Sequence, residues 1–356
     1  MRFCIFKTEF FPNSQAHNVG TPFAQYWGKP FEGDYFMNVS DIKRIACLGG
    51  GVIGSSWAIQ FAMKGLDVVL YDVNDQQVEK SRAQMHKSLD ALVDFEAITG
   101  QARRDIESRV AFTTDMAAAV AGAQFIQESG PERLEVKRAI LAQAEETAAP
   151  DAVYASSTSG LLITEIAAQA AHPGRCVGAH PYNPPHLIPL VELTSGERTD
   201  PQVLSLVYDF YQSIGKEAVL LRRECPGFIA NRLQLALYRE VQDLVMRGVC
   251  SVEDVDKALV YGPGLRWSIF GHNMIMQLGN PGGLTGMVEM LGDSGDRWLE
   301  DMASWTHQPD DWAQVAQPGV DQEMARFPDH IGHTNAECVA YRDKMLIELL
   351  KLHRKL

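Results

Sequence analysis

The sequence has little positive charge and no long hydrophobic run. Its 356 residues include 45 acidic and 32 basic side chains, which gives a formal net charge of −13. A surface of that sign repels nucleic-acid phosphates and anionic lipid headgroups. No apolar stretch approaches the roughly 20 residues that a membrane-spanning helix needs. We therefore expect neither a nucleic-acid partner nor a membrane partner.

Cysteine is scarce as well. The six cysteines are scattered, without the close spacing of zinc sites. In a chain of this length they indicate free thiols in a reducing compartment rather than a disulfide framework. The amino terminus lacks the unbroken apolar core and the cleavage site of a signal peptide. These features together predict a cytoplasmic protein without a metal site.

The organisation of the chain changes twice. Residues 1–40 show no sustained hydrophobic period, and we interpret them as an extension outside the fold, with an arm that packs on a partner subunit as the alternative. From Ile42 onward, short apolar runs alternate with helical patterns, which is typical of βαβ units around a parallel sheet. After residue 223 only helices are predicted.

The predicted strands are 45–48, 68–71, 125–127, 152–155, 176–178, 191–193 and 218–221. The predicted helices are 53–64, 75–95 and 132–147, followed by 228–247, 252–259, 285–291, 312–324 and 335–355. The prediction is an α/β protein, with an N-terminal doubly wound sheet over residues 41–223 and an all-helical C-terminal domain over residues 224–356.

A glycine-rich turn follows the first predicted strand. Gly49, Gly51 and Gly54 have the GxGxxG spacing of dinucleotide-binding turns. In such a turn the first glycine permits the tight bend, the second lets a pyrophosphate approach, and the third allows the helix to pack closely on the strand. Val52 and Ile53 would begin that helix, whose free N–H groups attract an anion.

Asp72 strengthens the nucleotide interpretation. It ends the second predicted strand, at the position where a carboxylate accepts both ribose hydroxyls of an adenosine. The next residues, Val73 to Asp75, offer no arginine for a 2′-phosphate. The pattern therefore predicts a Rossmann-like domain that binds NAD rather than NADP. The alternative is a glycine turn in an unrelated α/β fold.

Candidate catalytic residues lie at the ends of later strands. His180 follows the strand at 176–178, and strand ends are where doubly wound sheets bind ligands. Oxidation of an alcohol needs a base for the hydroxyl proton, and histidine titrates near neutrality. Glu192 could accept the other ring N–H, and Ser159 could bind the reacting oxygen. The alternative for His180 is a purely structural role.

From Ile42 to the last helix, these motifs occur in the order found in the 3-hydroxyacyl-CoA dehydrogenase superfamily, which the chain resembles. The shared motifs are the fingerprint with Asp72, the Ser-x-Thr-Ser turn, the His-x-x-Asn-Pro loop, the Val-Glu pair and the segment 226–233. The resemblance implies that His180 is the base, that Glu192 orients it, and that Ser159 and Asn231 contact the substrate. We also expect the helical domain to complete the active site and to form a homodimer.

The resemblance assigns two further residues to the cofactor. The segment 127–137 matches the stretch where family members place Glu132 and Lys137 against NAD. Without the resemblance, both residues would be interpreted as solvent-facing charges on a first helical turn.

Three departures indicate a branch of the family. Ser157 stands where fatty-acid members carry asparagine, Pro181-Tyr182 replaces two aromatic residues, and Gly262 to Trp267 replaces a Gly-Pro-Phe-Glu segment. The combination resembles the branch of lambda-crystallin/L-gulonate 3-dehydrogenase and L-carnitine dehydrogenase. It implies oxidation of a free, carnitine- or gulonate-like L-3-hydroxy acid to the 3-oxo acid.

Arg266 fits a free acid, because a guanidinium matches a carboxylate in charge and geometry. We expect it to anchor the substrate carboxylate. Its alternatives are stacking on Trp267 and pairing with an acidic side chain. Two other functions stay open: dehydrogenation of a short-chain CoA thioester, and a crystallin-like structural protein that binds NAD with little turnover.

Overall fold

The computed structural model describes residues 37–355. The strands are β1 (Arg44–Leu48), β2 (Asp67–Tyr71), β3 (Val110–Thr113), β4 (Phe125–Glu128), β5 (Val153–Ser156), β6 (Cys176–Pro181), β7 (Leu190–Ser195) and β8 (Glu217–Leu220). The helices of the sheet domain are α1 (Val52–Met63), α2 (Asp75–Asp94), α3 (Gly100–Ser108), α4 (Met116–Val120), α5 (Leu134–Glu145), α6 (Ile163–Ile166) and α7 (Pro201–Ser213).

Helices alone follow β8 in the part of the chain that the structure describes. They are α8 (Ala230–Met246), α9 (Val252–Leu259), a π-helical turn (Val260–Gly264), α10 (Leu265–Trp267), α11 (His272–Leu278), α12 (Gly283–Asp301), α13 (Trp312–Ala325) and α14 (Asn335–Leu352). This architecture, an α/β domain and then a helical one, confirms the predicted fold class.

The eight strands form one sheet in the order β3-β2-β1-β4-β5-β6-β7-β8. All neighbours are parallel except β6 and β7, which are antiparallel. Residues 182–189, which join β6 to β7, are too few for the crossover helix that a parallel connection requires. The strand order reverses direction between β1 and β4, and such a switch point opens a crevice at the carboxyl ends of the strands.

All seven predicted strands are present, whereas β3 was not predicted. β3 lies at the sheet edge, and only Val110 of its four residues is buried. Its apolar run, Val110 to Phe112, has only three residues, and periodicity cannot distinguish so short a run from part of a helix. Six helices were also not predicted, namely α3, α4, α6, α7, α10 and α11.

The core consists of two apolar layers, one on each face of the sheet. One layer contains a cluster of aromatic rings from α1, β4 and α7, namely Trp57, Phe61, Phe125, Phe210 and Tyr211. The other layer is packed by α4, α5 and α6 against the opposite face of the sheet. The sheet domain is thereby a rigid support for groups at its carboxyl edge.

The two ends of the described chain join the first of these layers. Met37 is only 6% exposed, so residues 37–40 of the predicted extension belong to the fold, while residues 1–36 lie outside the described residues. Ile347 and Leu350 of α14 are buried in the same layer. This differs from the predicted assignment of residues 224–356 to one domain, because the last helix packs on the sheet domain.

The helices α8 to α13 bury few side chains. The exposed apolar residues of these helices and of the segments between them include Leu233, Leu235, Leu265, Trp267, Ile269, Phe270, Val288, Met290 and Leu299. Within residues 37–355, no helix combines the length and apolar character needed to cross a membrane.

Candidate active site

The register of β6 and β7 brings His180 and Glu192 directly opposite each other. The two side chains are buried, and His180 Nδ1 lies 2.9 Å from Glu192 Oε2. An ionised carboxylate only accepts hydrogen bonds, so Nδ1 carries the hydrogen, and in the neutral form of the ring Nε2 is the nitrogen with the lone pair. The pair has the geometry of a base and the group that fixes its tautomer.

The same glutamate also contacts the helical domain. Glu192 Oε1 accepts hydrogen bonds of 2.9 Å from the backbone N–H groups of Ile229 and Ala230, at the start of α8. The amino end of a helix stabilises a negative charge. Phe228, the residue before this turn, packs its ring 5.4 Å from that of His180. The base is therefore held jointly by both domains.

The serine turn after β5 is held by Glu132. Its Oε1 accepts hydrogen bonds from the hydroxyl of Thr158 at 2.7 Å and from the backbone N–H groups of Ser159 at 2.8 Å and Gly160 at 3.1 Å. Asn231 Nδ2 donates to the Ser159 carbonyl at 3.3 Å. Glu132 therefore orders the turn that carries the predicted substrate contact.

A cavity of about 350 Å³ lies in front of these groups. It is lined by Ile53, Ser157, Ser159, His180, Pro181, Tyr182, Asn183, Asn231 and Gln234. The structure thus brings together His180, Ser159 and Asn231, which the sequence predicted as a catalytic set. Seven of these nine lining residues have polar side chains, and none is a lysine or an arginine.

Tyr182, for which the sequence suggested no role, contributes to this wall. Its hydroxyl oxygen lies 2.9 Å from Gln234 Oε1 and 3.3 Å from Asn231 Oδ1. Burial, and secondarily the charge of Glu192, raises the pKa of the Tyr182 phenol. The hydroxyl therefore stays protonated and acts as a donor to the amides on α8.

The glycine turn has the shape that a dinucleotide requires. Gly49 has a φ of +96°, and a Cβ there would lie 2.8 Å from the Ser129 carbonyl oxygen. A Cβ on Gly54 would lie 1.8 Å from the Gly49 oxygen, so the helix packs closely on the turn. A Cβ on Gly51 would meet no atom within 4 Å, so there is open space before the N–H groups of Val52 and Ile53. These features fit a pyrophosphate.

Asp72 lies beside this turn, and its carboxylate oxygens have unused hydrogen-bond acceptor positions. Its carboxylate accepts one hydrogen bond from the N–H of Gly50 at 2.9 Å and one from Val73 at 2.7 Å. Each oxygen keeps a further lone pair, which suits the two hydroxyls of a ribose. The adjoining cavity of about 340 Å³ is mainly apolar and is lined by Leu48, Tyr71, Val73, Met116, Pro131, Ile140 and others. The residues present therefore fit the adenosine half of NAD.

Lys137 is not a solvent-facing charge. Its side chain is 1% exposed and its Nζ lies 2.9 and 3.1 Å from the two carboxylate oxygens of Glu128. It also lies 3.5 Å from Glu132 Oε2. Lys137 lines neither of the two cavities described above. The interpretation from sequence alone is wrong for this residue, because a buried charge of this kind needs an opposite partner, and Glu128 was not recognised as one.

Arg266 stays apart from the other predicted site residues. It is exposed on α10, and it does not line the cavity at His180. Among residues 37–355, its guanidinium has no ion pair with an acidic side chain. The neighbouring Trp267 contacts a histidine: its indole N–H donates to His272 Nδ1 at 3.2 Å. The structure thus brings the Arg266 guanidinium to no acidic side chain among the described residues.

Two buried groups that the sequence did not suggest hold residues 182–189, the loop that follows the base. Lys216 Nζ donates to the carbonyl oxygens of Pro185 at 2.7 Å and Ile188 at 2.5 Å, and burial lowers its pKa to about 7. His186 Nδ1 lies 2.6 Å from Ser56 Oγ, and burial with the nearby Lys216 lowers its pKa to about 4. No sequence pattern separates such residues from surface ones.

Comparison with known proteins gives a consistent answer. Residues 44–225 match the NAD binding domain of 3-hydroxyacyl-CoA dehydrogenase, and residues 227–324 match the C-terminal domain of the same family. An L-carnitine dehydrogenase of Streptomyces griseus is 37% identical over 320 residues, which cover 87% of this chain and 90% of that protein. A 3-hydroxyacyl-CoA dehydrogenase of Gibberella moniliformis is 34% identical, over 89% of this chain and 96% of its own.

A solved structure is similar over the same length. It is that of 5-formyl-3-hydroxy-2-methylpyridine 4-carboxylic acid 5-dehydrogenase, an NAD⁺-dependent dismutase, with a TM-score of 0.71 and 29% identity over 88% of this chain and 98% of that one. The family matches cover both domains, and they meet between residues 225 and 227, where the sheet domain passes into α8. The chain therefore belongs to the 3-hydroxyacyl-CoA dehydrogenase family and is an NAD-dependent dehydrogenase.

Proposed function

We propose that this dehydrogenase oxidises a free, small and polar L-3-hydroxy acid of the carnitine or gulonate type to the 3-oxo acid. The observation that carries the proposal is the polar lining of the cavity at His180, where serine, tyrosine, asparagine and glutamine side chains surround the base. Hydroxyl and amide groups suit a polar acid, whereas a fatty acyl chain favours apolar walls. The similarity to L-carnitine dehydrogenases supports the same class of substrate.

In the proposed reaction, His180 Nε2 takes the proton of the substrate hydroxyl. Glu192 holds the ring through Nδ1 and stabilises the imidazolium that forms. Ser159 and Asn231 bind the reacting oxygen from the turn and from α8. NAD supplies the hydride acceptor. Contacts with both domains let their closure exclude water from the cavity.

A carboxylate substrate also needs a cation, and the lining of the cavity contains none. We retain Arg266 as the proposed anchor, because its guanidinium is exposed and has no acidic partner among the described residues. The role requires that the helical domain, of this chain or of a partner, bring α10 to the cavity. Glu132 and Lys137 complete the proposal as residues that position the serine turn beside NAD.

A homodimer is the third part of the proposal. The exposed apolar residues of α8 and α10 to α12 form more apolar surface than a monomer normally leaves in water. A second copy of the helical domain would cover such a surface.

The described cysteines are all free, which agrees with a reducing, cytoplasmic compartment.

The decisive experiment follows NADH formation with purified protein and NAD. L-carnitine, L-gulonate and L-3-hydroxybutyrate are compared with L-3-hydroxybutyryl-CoA by their kcat/KM values. We expect one free acid to be preferred. Preference for the thioester would replace the proposal with a short-chain acyl-CoA dehydrogenase, which the Gibberella relative represents. Binding of NAD without turnover of any of the four would support a crystallin-like structural protein.

Arg266→Met tests the carboxylate anchor on the preferred free acid. Loss of a charge-assisted pair of about 1.5–3 kcal/mol raises KM roughly 10- to 100-fold, while the Kd for NAD stays unchanged. Arg104→Met is the matched control, because Arg104 is exposed on α3 of the sheet domain and lines neither the cavity at His180 nor that at Asp72. An unchanged KM for the acid in Arg266→Met would remove Arg266 from the site without affecting the assignment of the base.

A further inference from the structure

A chain of buried and half-buried polar side chains runs beneath the catalytic cavity. The Oγ atom of Ser157 is its centre, with Trp57 Nε1 at 3.2 Å, Gln127 Nε2 at 3.0 Å and Ser129 Oγ at 2.9 Å. Tyr211 donates its hydroxyl to Gln127 Oε1. The catalytic roles assigned above to His180, Glu192, Ser159 and Asn231 use none of these bonds.

The donor and acceptor groups of these side chains determine the direction of each hydrogen bond around Ser157. Gln127 Nε2 also donates to the Ala155 carbonyl oxygen at 3.2 Å, which sets the orientation of the amide. Burial raises the pKa of Tyr211 well above its usual range, so its hydroxyl stays protonated and donates. An indole N–H is a donor only. Ser157 therefore accepts two hydrogen bonds, from Trp57 and from Gln127.

A hydroxyl oxygen has two lone pairs and one hydrogen. Because both lone pairs of Ser157 are used, its contact with Ser129 is one in which Ser157 donates. Ser157 lines the cavity, yet it has no capacity left for a substrate. Ser129 Oγ, in contrast, keeps its own hydrogen, and among residues 37–355 it has no other side-chain hydrogen bond.

Ser129 lies between the two halves of the cofactor site. It directly follows β4, and its backbone N–H donates to the Leu48 carbonyl at 2.7 Å. Its carbonyl oxygen is the atom that a Cβ on Gly49 would meet, and its Cβ lies 3.5 Å from the position of a Cβ on Gly54. Its hydroxyl oxygen lies 2.9 Å from that of Ser157, which is a residue that lines the cavity at His180. A dinucleotide that crosses the glycine turn toward His180 passes this point.

We propose that Ser129 donates a hydrogen bond to an oxygen acceptor in the nicotinamide riboside half of NAD. Ser157 is then a positioning residue, which directs the hydroxyl of Ser129 away from itself and toward the cofactor. Trp57 and Gln127 set that direction. The inference rests on NAD binding by the family and not on which acid is oxidised.

The test is calorimetric titration of Ser129→Ala with NAD and with ADP, which lacks the nicotinamide riboside. Loss of one hydrogen bond of about 0.5–1.5 kcal/mol predicts a Kd for NAD roughly 2- to 13-fold higher, with the Kd for ADP unchanged. Ser213→Ala is the matched control, because Ser213 donates only to the Phe210 carbonyl within α7. It should leave both Kd values unchanged.

Trp57→Phe tests the direction of the hydrogen bond between Ser157 and Ser129. Removing the indole N–H frees a lone pair on Ser157, so Ser129 can donate to Ser157 instead of NAD, and NAD binding weakens while ADP binding does not. The proposal is overturned if Ser129→Ala binds NAD with the same Kd as the unmodified protein. It is also overturned if the substitution raises the Kd values for NAD and ADP equally, because that result indicates a disturbed glycine turn. Continued turnover in either case leaves the proposed dehydrogenase function standing.

Discussion

At the scale of single residues, Glu192 serves two structures at once. One carboxylate oxygen faces the base and the other faces the first N–H groups of α8. Every partner of this side chain is therefore a donor. An amide in the same place has only one accepting atom, so the requirements of the ring and of the helix cannot both be met.

Glu192→Gln is accordingly expected to lose most of its activity. Either the amide N–H₂ faces Nδ1 and forces the wrong tautomer of His180, or it faces the N–H groups of α8 and loosens the helix. The fall in kcat should be on the order of 10²- to 10⁴-fold, as when other orienting carboxylates become amides. Steady-state kinetics measures it, and calorimetry should find an unchanged Kd for ADP.

Glu197→Gln provides the matched control for that prediction. It lies on the loop after β7 and is exposed, so kcat should stay within twofold. A Glu192→Gln enzyme that retained full kcat would mean that the tautomer of His180 is held by something other than this carboxylate.

The residue scale also shows where sequence reasoning ends. His180, Glu192 and Asp72 could be predicted because each follows a recognisable strand or fingerprint. The network around Ser157 could not, because its members are far apart in the chain and meet only when β4, β5 and α1 pack. Gln127 was an available signal, since together with Glu128 it makes half of a four-residue strand polar.

At the scale of elements, the strands that carry buried apolar runs were predicted, whereas β3 and the antiparallel step at β7 were not. The direction of β7 matters for function, because only an antiparallel neighbour with this register places Glu192 opposite His180. The length of residues 182–189 contained that information, since it excludes a crossover helix. Pairing order itself depends on packing across the whole sheet.

The helix α14 gives a prediction at this scale. It lies beyond the family match, which ends at residue 324, yet it buries Ile347 in the core of the sheet domain. Ile347→Ala should lower the free energy of unfolding of that domain by about 2–4 kcal/mol, because the removed atoms leave a cavity. Urea denaturation followed by tryptophan fluorescence measures the change, since Trp57 is buried in the same layer.

Leu352→Ala, at the end of the same helix, is the control. Leu352 is 80% exposed, so the substitution should change the free energy of unfolding by less than about 0.5 kcal/mol. Equal effects of the two substitutions would mean that α14 does not pack on the sheet domain in solution.

At the scale of the molecule, the two domains have unequal cores. The sheet domain has two well-packed layers, while α8 to α13 leave leucine, isoleucine, valine and tryptophan side chains in water. In the proposed dimer, a second copy covers this surface. The helix α8 would then take part both in assembly and in the active site, because it supplies Asn231 and the N–H groups that bind Glu192.

We expect sedimentation velocity to give twice the chain mass of 39.4 kDa at micromolar concentration. The double variant Ile269→Asp, Val288→Asp places two charges on the exposed apolar surface, and each costs several kcal/mol if it is buried unpaired. It should sediment as a monomer. It should also lose activity, because without the partner the amino end of α8, which binds Glu192, is held less firmly. Leu352→Asp adds a charge on α14 and should remain dimeric. A double variant that stayed dimeric would place the interface on another face, and an unmodified chain that sedimented as a monomer would contradict the dimer itself.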